Sequence, residues 1–402
     1  MKSKLKVFYG LNESGTNYWR GKLPAKALMD RDLCEIKLMS IFKHTAEEIE
    51  EMMLSSDVVF MQSPCGIQST LEYIKLFQLG KSSVADFDDN LFDCHPLNPG
   101  YATLGMHDVA ITLADGSKET LWKDGRLGFS IKDNANRFCA FIDTLLVANT
   151  VTTTTSYLKN ELAESSSKDF EDFRVIPNSI DFNKFKPFVS HRLDHSKLRI
   201  GWTASDSHIL EGNLVMRIIN ELYKRRSDFQ FIILGNIEKL RNVAGIFPVE
   251  WHQFVDLEVY PMKLASLELD IGICPLVDHS FNRSKSALKW SEYSSVRVPS
   301  VCSDVQPYWT IKNGNDGFKA HDVETFVDKI CELMDNPKKR LDMANNAYDR
   351  NFEEFNIDKN CDLWLETFER AYFKEQNRTL FYKGKPLERI SLNGRRVEEV
   401  SV

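Results

Sequence analysis

From Leu5 to Phe87 the apolar positions switch back and forth between short continuous runs and a helical period. Leu5–Tyr9, Cys34–Leu38, Asp57–Met61 and Ser83–Phe87 are β-rich runs that predict strands. Between them, Leu23–Asp30, Thr45–Leu54 and Gln68–Leu79 carry helical patterns. In the second of these Ile49, Met52 and Met53 recur behind an acidic first turn, and Gly80 stops the third. Strands alternating with helices indicate βαβ units on a parallel sheet. The alternation breaks from about Leu91 to Lys132, where Asp115-Gly116 and Asp124-Gly125 flank Glu119–Lys123 and predict hairpin turns in an insertion. Insertions of this kind often carry specificity. A helix at Lys132–Leu146 and strands at Val151–Thr154 and from Arg174 restore the pattern, and Phe185–Ser196, with Pro187, reads as a linker.

The alternation starts afresh at Leu198. Strands are expected at Leu198–Trp202, Phe229–Leu234, Asp270–Cys274 and Ser300–Cys302, with helices at Ile209–Arg225, Met262–Leu267 and Lys285–Ser294 among them. Three more helices, Val323–Met334, Lys338–Phe355 and Asn360–Phe373, follow. The fold class is therefore α/β, with two Rossmann-like, doubly wound domains in tandem: residues 1–190, holding the insertion at about 91–132, and residues 191–375. Such sheets bind ligands beyond the carboxyl ends of their strands, so two facing domains make a cleft. The tail, 376–402, contains Lys383-Gly384-Lys385-Pro386 and Asn393-Gly394 and predicts a small hairpin.

Composition narrows the function. With 51 Lys and Arg against 58 Asp and Glu, the formal charge of −7 supplies no basic field, and a nucleic-acid partner is disfavoured. The eight cysteines form no CxxC pair and have no companion His spacing for a zinc site, so they read as small buried hydrophobes of a reducing compartment. No apolar run is long enough for a signal peptide or a transmembrane segment, and the expectation is a cytoplasmic protein, with peripheral membrane contact left open. The nine histidines have no adjacent Ser/Asp arrangement for nucleophilic hydrolysis. No Walker-type Gly-Lys-Ser/Thr loop is present, and Gly314-Asn-Asp-Gly317 is a turn.

The chemistry concentrates in the second half. The run is Leu269-Asp-Ile-Gly-Ile-Cys-Pro-Leu276, Phe281-Asn-Arg-Ser-Lys-Ser-Ala-Leu-Lys289, Glu292-Tyr293, Val298-Pro-Ser-Val-Cys-Ser-Asp304 and Gly314-Asn-Asp-Gly317. It resembles the nucleotide-sugar-dependent glycosyltransferases of GT-B architecture, in particular the large retaining group 1 (family 4-like) family. The resemblance implies a strand, a loop and a glutamate-bearing helix that grip the donor. A helix whose first turn offers backbone N–H groups and the Lys285 ammonium would hold a diphosphate. Glu292, two turns along the same helix, would accept from ribose hydroxyls. The chain departs from the family where a first glutamate would touch the donor sugar, because Ser284 stands there; Asn282, Ser284 and Lys285 are the replacements. The basic residue many members carry after the first strand of the second domain is also missing from Gly201–His208, which leaves Lys285 and Lys289 as the phosphate partners. Ser286, Thr203 and Gly235 complete the expected donor-binding set.

In the first half, Gly10–Leu28 is similar to the family's first-strand loop, with Arg20 facing the cleft. Ser83-Val-Ala-Asp-Phe-Asp-Asp-Asn90 is similar to a strand-end acidic motif, and Val175-Ile-Pro-Asn-Ser-Ile-Asp181 to the interdomain passage, where Asn178 would turn the chain. Arg20, Asp88, Asp89 and His107 are the acceptor-side candidates, with His95 weighed beside His107. The resemblance thus implies transfer of a sugar from a nucleoside diphosphate sugar to an acceptor hydroxyl, with retention, no metal and no cofactor, and Mg2+ not essential. Asp86, Asp88 and Asp89 as a metal site is the lesser reading. A GT-B nucleotide-sugar epimerase and a silent nucleotide- or sugar-binding module are the alternatives. A glycan, a lipid-linked sugar, a protein and a modified base in nucleic acid all remain open as acceptor.

Overall fold

The computed structural model describes residues 4–11, 15–40, 43–112, 116–186, 188, 196–204, 208–236, 248–378, 381–382 and 385–386. The strands are β1 (Lys6–Leu11), β2 (Glu35–Ser40), β3 (Val58–Gln62), β4 (Ser82–Phe87), β5 (Val109–Thr112), β6 (Lys118–Trp122), β7 (Thr150–Thr153), β8 (Phe173–Val175), β9 (Leu198–Ala204), β10 (Phe229–Gly235), β11 (Val249–Gln253), β12 (Ile271–Cys274), β13 (Ser300–Ser303) and β14 (Phe318–Ala320). In the tail, Phe381–Tyr382 and Lys385–Pro386 pair antiparallel. Its turn at Lys383-Gly384 and the Asn393-Gly394 pair lie outside the described residues. The chain forms two compact units. One comprises Met1–Asp88, Lys132–Ile176 and Asn360–Val402, the other Asp89–Ile131 and Pro177–Lys359.

The first unit is built on a parallel sheet in the order β2-β1-β3-β4-β7-β8. Its middle strands are continuous apolar runs because helices cover both faces; Val58, Val59 and Phe60 are wholly buried. The helix Ile357–Gln376 begins in the second unit, and from Asn360 onward it belongs to the first. There Trp364 and Phe368 pack edge-on against Phe60, and Phe368 against Tyr9. Burial of these rings stabilises the unit at roughly 25 cal/mol per Å² of apolar area.

The second unit carries a parallel sheet in the order β11-β10-β9-β12-β13-β14. Counted within the sheet, that order is 3-2-1-4-5-6, the arrangement of dinucleotide-binding sheets, and it reverses between β9 and β12. Ile200 and Trp202 of β9, Val215, Ile218, Ile219 and Leu222 of the helix Ile209–Arg225, and Phe326, Val327, Ile330 and Leu333 of the helix Val323–Asp335 form one buried cluster. The 3.6-residue period of those helices places each apolar stripe against the sheet.

The insertion, assigned by sequence to the N-terminal half, makes its contacts in the second unit. β5 and β6 pair antiparallel as a hairpin. Gly116 and Gly125 take the positive φ that the turns require, at 83° and 76°, while Asp115 lies outside the described residues. Tyr101, Trp122 and Phe129 form a small aromatic core, and the Trp122 indole donates to the Pro96 carbonyl at 2.7 Å. No helix among the described residues is long and apolar enough to cross a membrane.

Candidate functional site

Two tyrosines and a glycine set the frame of the site. The helix Leu288–Ser295 follows β12, and Tyr293 lies across that strand at Gly272, where a Cβ would come within 2.7 Å of the ring. The Tyr293 hydroxyl receives the Thr203 N–H at 2.9 Å and donates to the Gly201 carbonyl at 3.2 Å, tying the helix to β9 across the point where the sheet order reverses. From behind, Asn351 bonds the Ser291 carbonyl and hydroxyl and the Ser295 hydroxyl at 2.7–2.9 Å. This satisfied buried network fixes the helix in one register.

Glu292 projects from that frame and is 5% exposed. Its Oε2 accepts from the Tyr260 hydroxyl at 2.9 Å and pairs with Lys289 at 3.3 Å, which leaves Oε1 to accept from another group. Burial and the Glu292 charge together push the Tyr260 hydroxyl well above its ordinary pKa, so it stays a donor.

Lys285 departs from the expected arrangement. The helix begins at Leu288 with Ala287 as its cap, and a separate four-residue turn occupies Ser280–Arg283. Lys285 therefore lies in the loop between the two, and Lys289 alone stands in the first turn. The loop is drawn out of helix because Asn282 is engaged elsewhere: its amide donates to Glu211 Oε1 at 2.8 Å and to the Val277 carbonyl at 2.9 Å. The Lys285 ammonium lies 4.6 Å from the centre of the Phe281 ring and 3.8 Å from Asp89. Ser286 takes the Asn178 amide at 3.0 Å, which anchors the loop from the Pro177 side.

Of the three residues expected to replace the missing first glutamate, only Lys285 is presented outward. Ser284 is fully buried, with its hydroxyl on the Ser280 carbonyl, and Asn282 is 3% exposed and held as described. Thr203 and Gly235 fall at the carboxyl ends of β9 and β10. Thr203 acts there through its N–H, while the Gly235 carbonyl accepts the Phe254 N–H at 3.1 Å.

Glu211 and His208 are components the sequence reading passed over. Glu211 is 1% exposed and sits in the first turn of the helix Ile209–Arg225, with Oε2 3.4 Å from His208 Nδ1. Burial opposes ionisation of Glu211, yet the neighbouring His208, the Asn282 hydrogen bond and the Lys285 charge outweigh it, and its pKa falls below the usual value. Burial, then the Lys285 and Lys289 charges, lower that of His208. The signal was a His followed three residues later by a Glu at a helix start. His95, not His107, joins the same cluster. Its ring packs edge-on against His279 at 4.9 Å, and burial and His279 lower its pKa. His107 is exposed and offers its backbone carbonyl to Tyr101.

In the first unit Arg20 does not face solvent. Arg20 and Asp86 are both wholly buried, joined by hydrogen bonds of 2.5–3.2 Å, and Thr152 adds a further 2.6 Å bond to Asp86. The guanidinium also donates to the Ile176 carbonyl and lies 4.8 Å from the Trp364 ring. A buried Arg demands such partners, and an acceptor-side role for it is replaced by a structural one. Asp88 is 7% exposed, and its carbonyl accepts from Thr154. Asp89 belongs to the other unit and faces Lys285.

The site thus gathers two ammonium groups, a carboxylate with a free oxygen, a buried Glu211 and the half-buried His208 beside it beyond the carboxyl ends of β9 and β12. Residues 210–336 match the model of the glycosyl transferases group 1 family. No curated protein sequence matches the chain. Among solved structures, a glycosyltransferase from Rickettsia africae is 12% identical with a TM-score of 0.60, covering 94% of this chain and all of that one. Anabaena Alr3699/HepE, solved with UDP and glucose, is 10% identical with a TM-score of 0.62, over 91% of this chain and 99% of its own. The catalytic domain of starch synthase IV from Arabidopsis thaliana, bound to ADP and acarbose, is 10% identical with a TM-score of 0.61, over 92% and 100%. By its fold this chain has the GT-B architecture, and its segment 210–336, which spans the site helix, matches the glycosyl transferases group 1 model.

Proposed function

We propose that the second unit binds a nucleoside diphosphate sugar at the ends of β9 and β12 and that the enzyme transfers the sugar to an acceptor hydroxyl with retention and without a metal. The observation that carries this reading is the trio Lys285, Lys289 and Glu292 at the point where the sheet order reverses, the place where such sheets take nucleotides. Glu292 Oε1 accepts from the ribose hydroxyls. Lys289, in the first helical turn, and Lys285, in the preceding loop, neutralise the charge that grows on the departing diphosphate.

During transfer the bond between the anomeric carbon and the diphosphate oxygen breaks, and the acceptor oxygen bonds the same carbon on the same face. The acceptor proton passes to the leaving phosphate oxygen, so no separate base is required. Asp86 is taken up by Arg20 and Thr152, which supports a transfer that does not route charge through a metal on the β4 aspartates. The donor complexes of Anabaena HepE support trying UDP sugars first.

The test is a calorimetric and thermal-shift screen against UDP, GDP, ADP, CMP and their sugar conjugates, with and without magnesium. Selective stabilisation that needs no magnesium and is lost in Glu292→Ala is the expected result. Binding without turnover on any acceptor would favour the silent module. Turnover without an acceptor would favour the epimerase.

A further inference from the structure

The helix Tyr260–Ser266, whose Tyr260 hydroxyl holds Glu292, is itself held by a closed circuit of four polar side chains. Arg199 of β9 donates from both Nη atoms to Glu250 of β11, at 2.7 and 3.0 Å. Glu250 Oε1 lies 2.7 Å from Nε2 of His252, two residues along the same face of that strand. His252 Nδ1 lies 2.8 Å from the ammonium of Lys263, which stands on the helix one turn beyond Tyr260. Arg199 closes the circuit, because its Nε donates at 2.7 Å to the carbonyl of Leu267, where the helix ends.

The two partners of His252 fix its state. The Arg199 hydrogen bonds hold the Glu250 carboxyl down at about 2, so it is a carboxylate wherever an imidazole titrates, ordinarily about pH 6.5. A carboxylate only accepts and an ammonium only donates, so the neutral ring carries its hydrogen on Nε2 and a lone pair on Nδ1. In that state every contact of the circuit is made. A proton on Nδ1 strengthens the Glu250 contact but turns the other nitrogen into a donor facing an ammonium. Lys263 must then leave, and the helix loses its tether to β11. Among the described residues the charged groups against the ring are Glu250 on its own strand, Lys263 on the helix and, beyond Glu250, Arg199 on β9.

We propose that His252 is a positioning residue for Glu292 and a proton-operated latch. With the ring neutral, the helix Tyr260–Ser266 is pinned and Tyr260 holds Glu292. With the ring charged, Lys263 is expelled, the helix loosens and donor affinity falls. The inference rests on the donor reading above and adds its regulation by pH. One proton passes from solvent to Nδ1, and no bond in the donor is altered.

Two measurements at pH 7.5 and 5.5 test the latch. One is deuterium exchange of residues 260–267, corrected for the intrinsic pH dependence of amide exchange. The other is calorimetric affinity for UDP-glucose and ADP-glucose, whose phosphates are diesters and do not titrate in that range. In the wild type, protection of 260–267 falls at pH 5.5 relative to β9 and β12, and affinity drops roughly three- to ten-fold, the worth of one such hydrogen bond. His252→Gln, whose amide offers Lys263 an oxygen and Glu250 an N–H but takes up no proton, loses both pH effects. Lys263→Met shows weakened protection at both pH values, with no step between them. A His252 that served packing alone would lower protection in His252→Gln without removing the dependence on pH. No fall in the wild type, or a fall that is as large in His252→Gln, overturns the proposal and leaves the donor reading standing. A fall in protection that needs His252, with neither nucleotide sugar bound at pH 7.5, overturns the donor reading and the role of His252 at Glu292, while the latch on the helix stands.

Discussion

Glu292→Ala separates a binding role from a structural one because the two oxygens of Glu292 have different surroundings. Oε2 holds the Tyr260 hydroxyl at 2.9 Å and Lys289 at 3.3 Å, whereas Oε1 is left for a ligand. Truncation removes both functions. Losing the acceptor for a buried tyrosine hydroxyl costs about 1–3 kcal/mol of stability. Losing two ribose hydrogen bonds to a carboxylate, at about 1.5–3 kcal/mol each less the water that replaces them, weakens donor binding by roughly 2–4 kcal/mol, or about 30- to 1,000-fold. Tyr260→Phe divides these terms: it removes the structural bond, leaves Oε1 in place, and is expected to lower the unfolding midpoint while changing affinity less than about three-fold. Calorimetric titration with the best nucleotide from the screen, paired with urea unfolding of each variant, reads both quantities. A folded Glu292→Ala protein that binds nucleotide within two-fold of wild type would refute the reasoning.

Arg20→Ala leaves the wholly buried Asp86 without its counter-charge and is expected to cost about 3–5 kcal/mol of stability in the first unit, measured by denaturant unfolding. A loss below about 1 kcal/mol would show that the pair is not structural. Lys285→Ala is expected to lower turnover by at least about ten-fold, roughly 1.4 kcal/mol of barrier, with nucleotide affinity affected less; unchanged kcat would remove Lys285 from the chemistry. For pH, the Arg199 fork holds the Glu250 carboxyl down at about 2 from its usual 4.5. A depressed carboxylate contributes stability that is complete above its unfolded pKa and is lost as pH falls toward the folded value. Acid unfolding followed from pH 5 to 2 should therefore flatten in Glu250→Gln, and an identical acid limb in the variant would contradict the assignment.

Much of the fold was legible because its elements are locally encoded. The helices Leu23–Asp30 and Ile209–Arg225 occupy the residues their apolar period indicates, and the buried strands read as continuous runs. What escaped was set by partners far along the chain. The helix bearing Glu292 starts three residues later than Ser-Lys-Ser-Ala suggests, because Asn282 is captured by Glu211, which lies 71 residues earlier. Arg20 reads as an exposed loop cation until Asp86, 66 residues away, is found beside it. β11 was missed because Val249-Glu-Trp-His-Gln253 is a half-exposed edge strand with little apolar signal. The helix bearing Lys289 and Glu292 was recognisable from those two residues, which are chemistry that sequence displays. The support from Tyr260, Asn351 and Glu211 was not, because a buried polar bond has no local signature.

The interleaving of the two units along the chain has a consequence for synthesis and folding. The first unit lacks Trp364 and Phe368 until well over a hundred residues after its last sheet strand, Phe173–Val175, has been made. Asp89–Ile131 must likewise wait for a unit whose parallel sheet begins only at Leu198. Neither half can therefore complete its core during elongation, and contacts of such long sequence separation slow folding. A cut near residue 190 would not yield two independent domains: the N-terminal fragment would expose the apolar surface of β1 and β3 that the last helix covers, and the C-terminal fragment would lack the segment bearing His95 and Asp89. Until that helix docks, the exposed surface is a site for aggregation or for a chaperone.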